Sequence, residues 1–312
     1  EPNNGNLSKS IYGNGSTIIY TYDELDRIKT ITNDTKTYTN TYDNIGNLAR
    51  IEDNITNYLY YYDLSNRLSK YVDEANNYEI DYDYDSNNNI TKKDYKLKLY
   101  QNLYDKEINF EYNQDDAITK VTFDDNNLNY TYDYLGRLVS KDINNHNRIE
   151  YQYINQGHKT STVLKSMKIN DDLYEYTYDN LYNITNIYLN HELLNHYEYD
   201  SFNQLISEDN YKLNKTYKYE YDLEGNILSK KEYDINSENL LKTNTYEYNN
   251  TSWEDQLTKF NNESITYDAI GNPITIGTKE LTWINGRQLN TYKDNNLEIT
   301  YDYNKDGIRI RK

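Results

Sequence analysis

The nine residues Tyr130-Thr131-Tyr132-Asp133-Tyr134-Leu135-Gly136-Arg137-Leu138 recur along the chain, at Tyr20–Ile28, Asn40–Leu48, Tyr60–Leu68 and Tyr219–Ile227 among other places. The unit reads Tyr-x-Tyr-Asp-x-x-Gly-Asn/Arg-Leu/Ile. Tyr130 and Tyr132, two residues apart, share one face of a strand. Asp133 suits the first position of a type I turn, and Gly136 a following position with positive φ. That pair forms a short hairpin connection with a bulge. The unit is therefore strand, tight turn, strand.

Aligned on the second aromatic, fourteen copies appear, anchored at Tyr22, Tyr42, Tyr62, Tyr84, Tyr112, Tyr132, Tyr153, Tyr178, Tyr199, Tyr221, Tyr248, Tyr267, Trp283 and Tyr303. Four positions after the anchor stands Gly at 46, 136, 157, 225, 271 and 307, Asn at 66, 88 and 203, and Asp at 26 and 116. Thus eleven of fourteen copies carry a residue that tolerates the left-handed region; Tyr182, Ser252 and Arg287 depart. Six positions after the anchor, ten of fourteen residues are Leu or Ile. Asp follows the anchor at 23, 43, 63, 85, 133, 179, 200, 222 and 268. Nine equivalent carboxylates cannot all be catalytic, whereas turn capping accounts for every one. One hairpin is marginal alone, so copies must lie side by side and share their aromatic face.

This pattern overrides composition. A mean hydropathy of −1.09 and a net charge of −18 resemble a disordered chain. Yet 23 of the 40 Tyr occupy the two strand slots, and tyrosine buries a large ring while its hydroxyl keeps a polar partner. Without Cys there is no disulfide or thiolate metal site, which fits a secreted protein. The acidic balance argues against a nucleic-acid partner. No apolar run approaches the length of a membrane-spanning helix, and the Glu1-Pro2-Asn3-Asn4-Gly5 start shows no signal peptide. Residues 1–312 read as a single array, an excerpt of a longer protein, with no linker or amphipathic helix. Lys92–Tyr104 reads as extra strand or long loop, Leu193-Leu194 as part of a longer loop, and Asn250–Phe260 as a replaced turn.

Reactive constellations are few. His191-Glu192-Leu193-Leu194-Asn195-His196 misses the zinc-helix spacing by one residue and reads as a polar loop. His146 and His158 have no evident metal or triad partners. Asp302-x-Asn304-x-Asp306-Gly307 matches half a calcium loop, but reads better as a hairpin turn with Gly307 left-handed. Asp81, Asp83 and Asp85 alternate on one strand face, more in keeping with a solvated surface than a cation site. No catalytic, metal or cofactor set emerges. The ring ladder suits packing between copies, with sugar stacking as the other use.

The repeat resembles the Rhs or YD-repeat proteins. The series Trp253-Glu254-Asp255-Gln256-Leu257, Asp268-Ala269-Ile270-Gly271-Asn272-Pro273, Trp283 through Asn285-Gly286-Arg287-Gln288-Leu289, and Asp306-Gly307-Ile308-Arg309 is similar to the end of the repeat region in wall-associated Rhs proteins of Gram-positive bacteria. The resemblance covers essentially the whole chain. It implies an all-β fold of antiparallel hairpins in a curved or spiral sheet, which forms a hollow shell around a C-terminal toxic polypeptide in toxin complexes and an adhesion surface in teneurins. The family's Asp-Pro-rich self-cleaving motif lies downstream of such repeats, and this chain has no Asp-Pro. The expected role is a non-enzymatic, secreted or cell-wall shell segment whose partner is a C-terminal effector of the same polypeptide. The alternative is an adhesin binding cell-wall or host glycans. The structural anchors expected to carry the fold are Tyr22-Asp23, Tyr42-Asp43 with Gly46, Tyr62-Asp63, Tyr84-Asp85, Tyr132-Asp133 with Gly136, Tyr178-Asp179, Tyr199-Asp200, Tyr221-Asp222 with Gly225, Tyr267-Asp268 with Gly271, Trp283, and Tyr303 with Gly307.

Overall fold

The computed structural model describes residues 5–100, 102–156 and 159–312. Gly157 and His158 lie outside the described residues. The fold is all-β: thirty strands and no helix among the described residues. Twenty-eight strands form one sheet, and Asp302–Tyr303 pairs with Arg309–Arg311 in a separate hairpin. The registered pairings are antiparallel and join strands adjacent in sequence, as for Asn126–Tyr132 with Leu138–Ile143.

Eleven copies among the described residues build their hairpins in the same way. Gly136 N–H donates to the Asp133 carbonyl and Asp133 N–H to the Arg137 carbonyl, closing the turn. Tyr132 then pairs with Leu138 but Thr131 with Ser140, so Val139 is an extra, bulged residue. The same one-residue shift recurs before Tyr22, Tyr42, Tyr62, Tyr178, Tyr199 and Tyr221. Such a bulge bends its strand and ends regular pairing.

The left-handed slot is occupied at Asp26, Asn66, Asn88, Asp116, Tyr182 and Asn203 (φ 58 to 70°) and at Gly46, Gly136, Gly225, Gly271 and Gly307 (φ 74 to 97°). Ser252 and Arg287 do not adopt it; Gly286, one position early, does, at φ 84°. Tyr182 takes the conformation although its side chain disfavours it, because the hydrogen bonds of the Asp179 turn impose it.

Contacts group the chain into two compact units. One comprises 1–84, 92–107 and 256–312; the other comprises 85–91 and 108–255. The stretch expected as extra strand or long loop supplies residues to two strands, Ile90–Leu99 and Asn102–Tyr112. In the second unit, the segment expected to loop around Leu193-Leu194 is instead the strand Glu192–Tyr199. Asn190 and His191, both at positive φ, make a two-residue turn that lets the strand start at Glu192. Among the described residues, the buried hydrophobic residues are Tyr38, Tyr58 and Tyr301, all in the first unit. Hydrogen bonding along the sheet, rather than a deep apolar core, therefore carries most of the organisation.

Candidate functional site

The repeated chemistry is a latch between neighbouring copies. The Tyr42 hydroxyl donates to the Ile28 carbonyl (2.8 Å), Tyr62 to Leu48 (3.0 Å), Tyr84 to Leu68 (2.8 Å) and Tyr132 to Ile118 (2.8 Å). Tyr112, Tyr153, Tyr199, Tyr221 and Tyr303 likewise reach Ile90, Leu138, Ile184, Leu205 and Leu289. In every one of these the acceptor is the residue six positions after the preceding anchor. Trp283 keeps the rule with a different donor, its indole N–H bonding the Pro273 carbonyl at 2.7 Å. Tyr22, Tyr178 and Tyr267 bond the carbonyls of Leu7, Leu164 and Leu257.

The reason lies in the register. Ile118 sits two residues outside the last pair of its ladder with the following strand, Lys120 with Asn129. Leu48 and Leu205 stand in the same relation to the pairs Arg50–Leu59 and Ser207–Lys218. The bulge has separated the strands there, leaving a carbonyl with no amide opposite. The next anchor's phenol fills that gap, satisfying a group that would be costly to leave unpaired. Leu or Ile at this position supplies the apolar side chain, while its main chain supplies the acceptor.

The turn aspartates make a second set of bonds. Asp133 Oδ1 accepts from the main-chain N–H groups of Leu135 and Arg137, and Oδ2 from Arg137 Nε. Asp23 and Asp63 do the same with Arg27 and Arg67. Asp43, Asp85, Asp179, Asp222 and Asp268 use Asn47, Asn89, Asn183, Asn226 and Asn272. Asp200 caps its turn through the main-chain N–H groups of Phe202 and Gln204. The side chain of Arg27 holds the Asp23 carboxyl below its ordinary value. The main-chain N–H of Arg67 does this first for Asp63, and the Asn183 amide for Asp179.

The residue five positions after the anchor also reaches the next copy, a role its type did not disclose. Arg27, Arg67 and Arg137 lie 4.2, 4.5 and 4.6 Å from the ring centres of Tyr42, Tyr84 and Tyr153. Asn89 and Asn183 instead bond the side chains of Asp116 (2.7 Å) and Asn203 (3.0 Å), the left-handed residues of the following turns. The sequence signalled only the pairing within the turn: an Arg or Asn in that slot follows an Asp four residues earlier in eight copies.

In the first unit the earliest and latest hairpins meet. Asn14 Nδ2 donates to Asp268 Oδ2 (2.9 Å) and to the Gly286 carbonyl (3.1 Å). Asn285 N–H donates to Asp34 (2.8 Å), whose own N–H donates to Asn285 Oδ1 (3.2 Å). The Lys305 ammonium lies 5.5 and 5.7 Å from the rings of Tyr58 and Tyr60 and bonds Asp306. Burial pushes the Tyr38 phenol up to about 12, with Asp53, Tyr58 and Asp306 adding to the shift.

The other sequence candidates are placed as follows. His191 Nδ1 lies 2.6 Å from Glu175, and His196 bonds Asn186 from within a strand. Asp81 is paired with Lys96 (2.8 Å) and Lys70 (3.6 Å), part of a charge ladder that includes Lys70–Glu79. Asn304 Oδ1 accepts the N–H groups of Asp306 and Ile308, the same capping as in the other turns. The described residues contain no cluster of three potential metal ligands.

No family model matches the sequence, and no curated protein matches it. Solved structures do. That of TcdB2–TccC3 without its hypervariable C-terminal region superposes with a TM-score of 0.59 at 16% identity, over 98% of this chain. The chain shares its fold. TcdB2–TccC3 itself gives 0.58 at 15% identity over 98%, and a Photorhabdus luminescens Tc holotoxin pore gives 0.50 at 14% over 94%. This chain spans about 20% of the length of each.

Proposed function

We propose that this chain is a wall segment of an Rhs-type YD-repeat protein, acting without catalysis to enclose or present a C-terminal effector of the same polypeptide at the cell surface or after secretion. The observation that carries the reading is the latch: an aromatic donor in each of thirteen copies bonded to the main chain of an earlier segment. Such bonds tie hairpins to earlier segments through the main chain, a use of these side chains that calls on no reactive group. The fold shared with toxin-complex proteins and the resemblance of Trp253–Arg309 to the end of wall-associated Rhs repeat regions both favour this role. The anchor hydroxyls are engaged with carbonyls, and several rings lie under arginines, which weighs against the ladder as a sugar-stacking platform.

The test uses the natural polypeptide. Reading the codons after Lys312 gives the downstream segment, which is then expressed with and without the repeats and digested with a nonspecific protease. Survival of the downstream segment only when it follows the repeats supports enclosure. Equal digestion in both forms, or a stop codon directly after Lys312, overturns it.

A further inference from the structure

The turn tips carry a second repeated feature that hairpin formation does not require. Two or three positions after the anchor, within the turn, stand Leu181 (66% exposed), Phe202 (79%) and Leu223 (99%) on three successive hairpins of the second unit. Leu25, Ile45 and Leu64 occupy the same slots in the first unit and are exposed as well. The copies anchored at Tyr84 and Tyr112 act as internal controls. They place Ser86-Asn87 and Gln114-Asp115 there, yet close the same turn, with Asn88 and Asp116 left-handed. The apolar tips therefore serve something other than the turn.

The first unit displays what such a tip accepts. Ile270, in the slot of Phe202, is only partly exposed. The turn of Gly13 covers it, approaching so closely that a Cβ on Gly13 would lie 3.2 Å from Ile270 and 3.4 Å from Ala269. Asn14 of that turn bonds the outer oxygen of Asp268. The docked turn, between Lys9–Ile11 and Thr17–Tyr22, belongs to the edge of the sheet opposite the anchor turns. Asp34, on the next opposite-edge turn, repeats the arrangement with Asn285.

The second unit carries both halves of this pairing, at the two ends of the strand Leu205–Asn210. Before Leu205 lies a groove of about 870 Å³ between two turn tips, lined by Phe202 and Leu223 and by Asp200, Asp222 and Glu224, with Glu220, itself bonded to Lys231, beside them. After Asn210 lies the opposite-edge turn Tyr211-Lys212-Leu213-Asn214, exposed throughout, with Leu213 at 57%. It offers a cation and an amide to the acidic rim and apolar side chains to the floor. We infer that the groove between Phe202 and Leu223 receives the Tyr211–Asn214 turn of a second copy of this chain. Because knob and groove occupy opposite ends of one strand, the contact is heterologous, and each copy added exposes a fresh groove or knob.

Sedimentation velocity across a concentration series tests this, in about 0.15 M salt to screen repulsion between chains of net charge −18. The expected result is a ladder of species that lengthens with concentration. Leu223→Asp in the groove and Leu213→Asp on the knob each weaken association by roughly 30-fold or more, since each loses a central apolar contact and sets a carboxylate against apolar side chains. Both side chains are exposed, and circular dichroism checks that each variant keeps the fold. Mixing the two variants restores one contact and gives a 1:1 dimer that grows no further. Monomers at every concentration overturn the inference. So does association unchanged by either substitution, or a monomeric chain whose binding to anionic phospholipid vesicles is lost in Leu223→Asp.

Discussion

Replacing Tyr132 by Phe removes one hydroxyl and leaves the ring. The lost bond is 2.8 Å long and ends on the Ile118 carbonyl, which lies outside its ladder and faces the gap opened by the bulge. The ring stays half-buried, so no cavity forms, and the loss is that of one hydrogen bond and of an acceptor left partly dry. That amounts to about 1 kcal/mol, or a roughly fivefold rise in the equilibrium constant for opening the two hairpins that the latch joins. Because contacts in a hairpin array run mainly between neighbours, the effect is local. Native-state hydrogen exchange is therefore the assay: amides in Ile118–Phe123 and Asn126–Tyr132 exchange about fivefold faster, while those in Leu205–Asn210 are unchanged. Tyr42→Phe and Tyr221→Phe, which share no partner with Tyr132, add their effects independently. Tyr134→Phe, at a turn tip with 89% exposure, is the control. Exchange in Tyr132→Phe indistinguishable from that in Tyr134→Phe would refute the latch as a source of stability.

Three further outcomes follow from the same geometry. Tyr182 sits at φ 67° where most copies have Gly, Asn or Asp; Tyr182→Asn raises the melting temperature, by about 0.5 to 1 kcal/mol of stability, and a fall would contradict the strain. The carboxyls of Asp23, Asp63 and Asp179 are held below the ordinary 3.8, so their contribution is full above that pH and disappears as pH drops below it; amide exchange in these turns, corrected for intrinsic rates, accelerates there and is flat from pH 5 to 7. The Tyr38, Tyr78 and Tyr219 phenols are pushed up to about 12 by burial, a contribution present below pH 10 and lost above it; phenolate absorbance rises in two stages, the later one coinciding with loss of the β signal in circular dichroism.

Much of the local fold was readable because the turn imposes a backbone requirement that few residue types meet. Gly136, Asn66 and Asp26 mark one slot in three chemical forms, and strand alternation through Tyr130 and Tyr132 sets the face. Tyr182 shows the limit: its turn forms by hydrogen bonding in spite of residue type. The strand at Leu193-Leu194 was missed because Asn190-His191 is a two-residue turn without glycine. Contacts such as Asn14–Asp268 span 254 residues, and nothing periodic announces them. The latch itself was half legible, since spacing revealed the ring and the Leu or Ile but not that the main chain of the latter was the acceptor.

That choice of acceptor shapes how such a chain can change in length. A main-chain oxygen is present whatever residue occupies the position, as Pro273 beneath Trp283 illustrates, so a duplicated or deleted copy finds a compatible neighbour on either side without any compensating substitution. Evolution can thus lengthen or shorten the polymer by whole modules while each junction remains chemically complete.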